Sequence, residues 1–131
     1  MEKLFVPYEI ALQLKEKGFD EFCIGLFNEE GLQYDGEIYS FPFHNSLTKE
    51  GAVDPSIVAA PLYQQVIDWF REKHHTIINL EYDFHTYDIR VYNGDKSIHL
   101  ISKLHKGAKY LFTEYYPTLN RAIKEALKLI P

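Results

Sequence analysis

Histidines are the residues whose number in this chain first suggests chemistry, because imidazoles bind zinc and transfer protons near neutral pH. A zinc site needs several ligands on one side of a helix or loop, whereas the adjacent His74 and His75 would point about 100° apart on a helix. Asp83, His85 and Asp88 lie near an expected turn and could hold an ion, although acidic turns are often merely solvated. We therefore expect no metal site and no cofactor. The six histidines are His44, His74, His75, His85, His99 and His105.

Other catalytic groups are equally hard to assemble from the sequence. The one cysteine, Cys23, lies between Phe22 and Ile24, where a thiol is usually buried and unreactive. Glu81 and Asp83 would share one strand face and could act in acid–base chemistry, but a solvated outer face also explains them. The glycines form neither a dinucleotide-binding nor a phosphate-loop pattern, and no G-x-S-x-G sequence is present. The sequence predicts no catalytic residue, which argues against an enzyme.

A basic segment runs from Lys96 to Phe112 and contains no acidic residue. Its turns and strand edge could form an anion-binding patch, on which Tyr110 or Phe112 could stack against a nucleic-acid base. The same lysines could instead protect an edge strand from aggregation. The whole chain carries a formal charge of −5, which argues against a dedicated nucleic-acid binder. The candidate anion-binding residues are Lys96, Lys103, Lys106 and Lys109.

The element that must position these groups is a helix predicted from Pro61 to His75, which contains the only tryptophan, Trp69. Apolar residues recur there at helical spacing and form two adjacent ridges, while the opposite side is polar. We expect the apolar face to lie against a sheet, with the indole directed inward. Ala60 is a poor N-cap, so the start of the helix requires a tertiary contact. The ridges are Leu62, Val66 and Trp69 beside Tyr63, Ile67 and Phe70.

Two more amphipathic helices are predicted, one near each end of the chain. The first runs from Pro7, which suits a first helical turn, to Lys17 and ends at Gly18. The last runs from about Tyr115 to Ile130 and carries a continuous apolar stripe at helical spacing. That stripe consists of Leu119, Ala122, Ile123, Ala126, Leu127 and Ile130.

Strands are predicted in two groups, separated by the central helix. Residues 22–27 and 32–34 form an expected hairpin, which a third strand at 37–41 extends. Alternating residues from Ile78 onward, with a tight turn at 93–94, predict three further strands. Grouped strands of this kind favour antiparallel pairing. The predicted fold is therefore α+β, a mostly antiparallel sheet with three amphipathic helices in the order α-β-β(-β)-α-β-β-β-α.

Residues 42–59 show no clear periodicity. A connection of this length is usually either functional or mobile. We predict that this loop, with the aromatic residues Phe41 and Phe43 exposed on it, is the surface that contacts a partner.

Length and composition are those of an ordinary globular protein. A chain of 131 residues with 46% hydrophobic residues is expected to form one domain, 1–131. A single cysteine cannot form an internal disulfide, which suits a reducing compartment. The chain begins without a signal-peptide pattern and has no run near the ~18 apolar residues that span a bilayer. We expect a cytoplasmic protein with no membrane partner. Its charge is uneven, since residues 1–60 carry 11 acidic and 4 basic residues.

Three blocks of sequence resemble an uncharacterised family of small proteins from gut bacteria and their phages or integrated elements. The blocks are VPYEIALQLKEKGF (6–19), APLYQQVIDWFREKH (60–74) and LNRAIKEALKLI (119–130), and they coincide with the three predicted helices. The resemblance implies a phage or mobile-element setting and transfers no functional residue.

The functional expectation that follows is a non-enzymatic accessory protein, which binds an unknown protein partner or itself. The alternative is weak nucleic-acid or polyanion binding through the basic segment. Its affinity would fall steeply as salt is added.

Overall fold

The computed structural model describes residues 1–34, 43–83, 86–103 and 115–131, without the side chains of residues 82–83, 86–87 and 99–103. The chain divides into two compact units, Met1–Val66 and Ile67–Pro131. Its α+β class and the predicted order of helices and strands are confirmed, and all ladders between the described strands are antiparallel. These strands form two three-stranded sheets. The single domain 1–131 stays a prediction. Predicted features outside the described residues are the strand at 37–41, Phe41, His85, His105, Lys106, Lys109, Tyr110 and Phe112.

The first unit contains helix α1 (Tyr8–Glu16) and a sheet of β1 (Gly25–Asn28), β2 (Gly31–Tyr34) and β3 (Val58–Ala60) in the order β2-β1-β3. Helix α1 ends as predicted, because Gly18 takes the left-handed conformation (φ +91°) that favours glycine at this position. Its apolar side is buried through Ile10, Ala11 and Leu14.

Strand β3 corrects the prediction of an irregular loop over residues 42–59. All three of its residues are buried, and it pairs with β1. A short strand buried on both faces shows no alternation of polar and apolar residues, so the sequence pattern does not reveal it. The irregular part therefore ends at Ile57.

The second unit contains most of helix α2 (Tyr63–His74), a sheet of β4 (Thr76–Asp83), β5 (Thr86–Asn93) and β6 (Lys96–Lys103), and helix α3 (Tyr115–Lys128). Helix α3 lies against all three strands. Its predicted stripe is buried at every position, and Trp69 of α2 is only 5% exposed. Both predictions are confirmed. The buried residues of the sheet that alternate onto one face are Ile78, Ile89 and Val91.

Helix α2 begins at Tyr63 rather than at the predicted Pro61, so Ala60 lies in β3 and Leu62 directly precedes the helix. The expected tertiary contact is present at this start. The backbone N–H of Leu62 donates to Oε1 of Gln65 at 3.0 Å, which satisfies a donor left over at the helix start. Nε2 of the same side chain donates to the carbonyl of Phe22 at 2.8 Å. One glutamine thus joins the helix start to the segment that precedes β1.

Candidate partner-contact surface

An isolated β-bridge joins the segment before β1 to the beginning of the irregular loop. Cys23 and Phe43 exchange backbone hydrogen bonds in both directions. Both side chains point into the first unit, where Phe43 is 7% exposed and lies in an apolar cluster with Leu26 and Ile57. The prediction that Phe43 is an exposed contact residue is therefore wrong. Its register in the bridge places its ring on the same side as the buried thiol.

The residues next to this bridge lie on its opposite, exposed side. Side chains alternate along extended backbone, so Phe22 and His44 share the face that Cys23 and Phe43 do not. The ring centroids of Phe22 and His44 are 5.2 Å apart, and Phe22 is 59% exposed. The exposed aromatic residue at this place is thus Phe22. The sequence held a signal for it, because a buried Cys23 in a strand requires its neighbour to face outward.

Hydrogen bonds fix the backbone on both sides of Phe22. Its own carbonyl accepts from Gln65, as described above. Three residues earlier, the carbonyl of Phe19 accepts from Nδ2 of Asn45. The other end of that amide, Oδ1, accepts from the N–H of Ala59 in β3 at 2.8 Å. The exposed ring therefore sits on backbone that is already ordered before any partner binds.

His44 connects the phenyl ring to a carboxylate. Its Nδ1 lies 2.9 Å from the carbonyl oxygen of Asn45 and 3.3 Å from Oδ1 of Asp20. The Asn45 contact has hydrogen-bond geometry, whereas the Asp20 carboxylate lies within ion-pair distance. The Asp20 side chain is 72% exposed. We call Asp20, Phe22 and His44 the Phe22 surface.

The thiol beneath this surface is buried, as the sequence predicts. Burial, and to a lesser degree the charge of Glu21, raise the pKa of Cys23 to about 12. A thiol that stays protonated at neutral pH is a poor nucleophile. Cys23 therefore belongs to the core of the first unit.

The predicted anion-binding lysines are not brought together within the described residues. Lys96 begins β6 and Lys103 ends it, which separates their backbones by roughly 23 Å at the usual strand rise. Lys106 and Lys109 lie outside the described residues. These two lysines thus lie at opposite ends of one strand, and the anion-binding patch stays a prediction.

The acidic residues considered for metal binding (Asp83 and Asp88) and for acid–base chemistry (Glu81 and Asp83) lie on the hairpin of β4 and β5. Glu81 lies opposite Asp88 in the ladder, and Asp83 lies opposite Thr86. Among the described residues no group of three or more histidine, cysteine or acidic side chains could hold a metal ion.

An exposed apolar pair, which the sequence did not predict as a site, lies on the β4–β6 sheet. Ile77 and Tyr92 are cross-strand partners with exposures of 52% and 38%. The guanidinium of Arg90 lies 3.6 Å from the carboxylate of Asp88. A hydrogen bond with the Tyr92 side chain, followed by the charges of Tyr92 and Asp88, raises the pKa of Arg90. The phenol of Tyr92 therefore already interacts with Arg90 of its own sheet.

Comparisons with known proteins do not extend these observations. No protein-family model matches the chain, and no curated protein or solved structure matches it. In the part of the chain that the structure describes, no helix has the length and apolar content needed to cross a membrane.

Proposed function

We propose that this is a non-enzymatic accessory protein that acts by binding a protein partner, or a second copy of itself, through the Phe22 surface. The observation that supports this proposal is a phenyl ring that is 59% exposed on backbone held by the side chains of Asn45 and Gln65. This surface replaces the contact site predicted at Phe43.

In the isolated protein, the exposed side chain of Phe22 does not contribute the free energy that burial of an apolar ring provides. Burying such a side chain contributes roughly 1.5–3 kcal/mol, which becomes available when a partner covers the ring. Aromatic anchors of this kind supply much of the binding energy at protein interfaces. Because the backbone of Phe22 is already ordered, binding does not have to pay the conformational entropy of fixing it.

The setting that we propose is a bacterial cytoplasm occupied by a phage or mobile element. It is supported by the resemblance of the three helical blocks, at 6–19, 60–74 and 119–130, and by the single cysteine. Small accessory proteins that act by occupying the surface of another protein suit this setting.

The proposal is tested with a photo-crosslinking amino acid at position 22 and, as a matched control, at position 8. Tyr8 is also an exposed aromatic residue of the first unit, at 51% exposure, but it contacts Phe27. We expect one product that forms from position 22 and not from position 8, identified by mass spectrometry. Sedimentation of the pure protein tells whether that product is a second copy.

The identified partner is then purified and its affinity measured directly. Phe22→Ala should weaken binding by at least about tenfold, as expected for an aromatic anchor, while Tyr8→Ala changes it less than about twofold. Equal effects of the two substitutions, or equal crosslinking from the two positions, would contradict the proposal.

A further inference from the structure

We infer that the Phe22 surface accepts a cationic side chain of the partner, specifically an arginine that stacks on Phe22 and pairs with Asp20. This inference rests on the proposed function, because it names the chemistry of the partner for the same surface. It follows from the position of an acid beside an exposed aromatic ring.

The geometry places aromatic and acidic groups one side chain apart. The imidazole of His44 contacts the Phe22 ring at a centroid distance of 5.2 Å, and its Nδ1 lies 3.3 Å from the Asp20 carboxylate. His44 therefore lies against both the phenyl ring and the Asp20 carboxylate. A planar cation that lies on the ring can reach the carboxylate with its edge.

Arginine fits this arrangement better than lysine. Its guanidinium is flat, stacks on aromatic faces and donates two parallel N–H groups to a carboxylate, whereas an ammonium is a compact point charge. The Asp20 side chain is 72% exposed, so most of its surface is accessible to an incoming donor.

The charge of the first part of the chain favours a basic partner. Residues 1–60 carry 11 acidic and only 4 basic residues. One of these bases, Lys15, donates to the carbonyls of Pro55 and Ile57 at 2.7 and 2.9 Å, so it serves to hold the loop. A field of this sign attracts cationic segments and speeds their association.

The test uses a fluorescently labelled hexa-arginine peptide, with anisotropy of the full-length protein measured at low and moderate salt. Phe22→Ala and Asp20→Asn should each weaken binding about threefold to tenfold, as expected for loss of a stacking or charged contact. Phe22→Leu keeps an apolar side chain without the aromatic face and should weaken binding similarly. A hexa-lysine peptide should bind less tightly than hexa-arginine.

Two matched variants serve as controls. Tyr8→Ala removes another exposed aromatic ring, and Glu29→Gln removes one charge from an exposed turn of the same unit. Both should leave binding within about twofold of the parent protein. If Asp20→Asn and Glu29→Gln have equal effects, the peptide responds only to net charge. If Phe22→Leu has no effect, the peptide does not use the aromatic face. Either result overturns the inference.

The outcomes separate this inference from the proposed function. If Phe22→Ala abolishes binding of the identified partner while the arginine peptide shows no dependence on Phe22, only the cationic specificity is wrong. If the peptide depends on Phe22 and Asp20 but position 22 yields no crosslinked product, the surface binds arginine and the proposed function fails.

Discussion

The irregular loop of the first unit and the β4–β6 sheet of the second satisfy their backbone groups in different ways. In the loop at 43–57, side chains reach backbone groups far away in the sequence, as the Asn45 amide does for Phe19 and Ala59. In the sheet, each strand pairs with its neighbour over eight consecutive residues. A ladder distributes stability over many equivalent bonds, whereas the loop combines scattered backbone bonds, such as that from the Ser46 N–H to the Ile57 carbonyl, with a few long-range side-chain bonds.

Phe22 in the first unit and the pair Ile77 and Tyr92 in the second, which are among the exposed apolar residues, differ in their neighbours. Ile77 and Tyr92 are partners of each other across a regular ladder, and Tyr92 and Asp88 both raise the pKa of the neighbouring Arg90. Phe22 lies beside His44 and an exposed acid on an irregular segment. Exposure alone therefore does not mark a contact surface. The neighbours of the exposed ring decide what it can bind.

Each unit contains its own spectroscopic or chemical probe. The only tryptophan, Trp69, is buried in the second unit, and the only cysteine, Cys23, is buried in the first. Fluorescence during urea unfolding reports on the second unit, while thiol labelling reports on opening of the first. The comparison can thus be tested one unit at a time.

The largest effect is expected from Ile123→Ala in α3, which removes a side chain that is 0% exposed. Truncation of a buried isoleucine costs about 2–5 kcal/mol, because apolar contacts are lost and a cavity is left. The urea transition of Trp69 fluorescence measures it. Arg121→Ala, on the exposed side of the same helix, should change stability by less than about 0.5 kcal/mol.

The same variant tests the predicted single domain. If the labelling rate of Cys23 rises in step with the loss of stability at Trp69, the two units unfold together. If the labelling rate of Cys23 stays constant, the two units unfold separately. They are then more independent than the hydrogen bonds within each unit indicate. A loss below about 1 kcal/mol would contradict the core position of Ile123.

Asn45→Ala should destabilise the first unit by about 2 kcal/mol. The substitution leaves the Phe19 carbonyl and the Ala59 N–H without their hydrogen-bond partner, and each unsatisfied group in a partly buried place is costly. Labelling of Cys23 should then become roughly 30-fold faster, since this energy equals that factor in an opening equilibrium. The matched control is Asn28→Ala, whose amide oxygen caps only an exposed turn at Glu30. Equal labelling rates of Cys23 in the two variants would show that the Asn45 hydrogen bonds do not stabilise the loop.

These two substitutions also show what the sequence could predict. The stripe that contains Ile123 repeats with helical spacing, so burial of each member could be predicted from the others. The same holds for Trp69, which lies on an apolar ridge. Repetition makes such elements predictable from the sequence, because several residues independently indicate the same buried face.

The two hydrogen bonds made by the Asn45 side chain leave no repeating pattern in the sequence. They join residues 26 and 14 positions apart, and a single polar residue in an aperiodic stretch does not indicate such partners. Phe43 was misassigned for the same reason, since its burial depends on one bridge to Cys23. The class and order of the fold could therefore be predicted, whereas the burial of Phe43 and the exposure of Phe22 required the structure.

Asn93→Ala should destabilise the second unit by only about 1 kcal/mol. The Asn93 amide donates to the carbonyl of His74 at 3.2 Å and to Oγ1 of Thr76 at 2.6 Å. The Thr76 hydroxyl also donates to that carbonyl, at 3.0 Å, so His74 keeps a partner after the substitution. The Trp69 urea transition measures the loss. A loss as large as that of Asn45→Ala would contradict the view that the regular unit tolerates removal of single side-chain bonds.

The smallest expected effect is a pH dependence that arises at Cys23. Burial raises its pKa from 9.0 to about 12 in the folded protein. The unfolded chain therefore loses this proton first as pH rises, so the thiol's contribution is complete below pH 9 and declines above it.

Between pH 7.5 and 9.5 the loss from this single group should be about 0.8 kcal/mol. Urea unfolding followed by circular dichroism measures it as the difference between the parent protein and Cys23→Ala, because the other titrating groups are common to both. Trp69 should show this pH-dependent difference only if the two units unfold together. Parallel pH profiles for the two proteins by circular dichroism would mean that the thiol is less buried than the bridge to Phe43 requires.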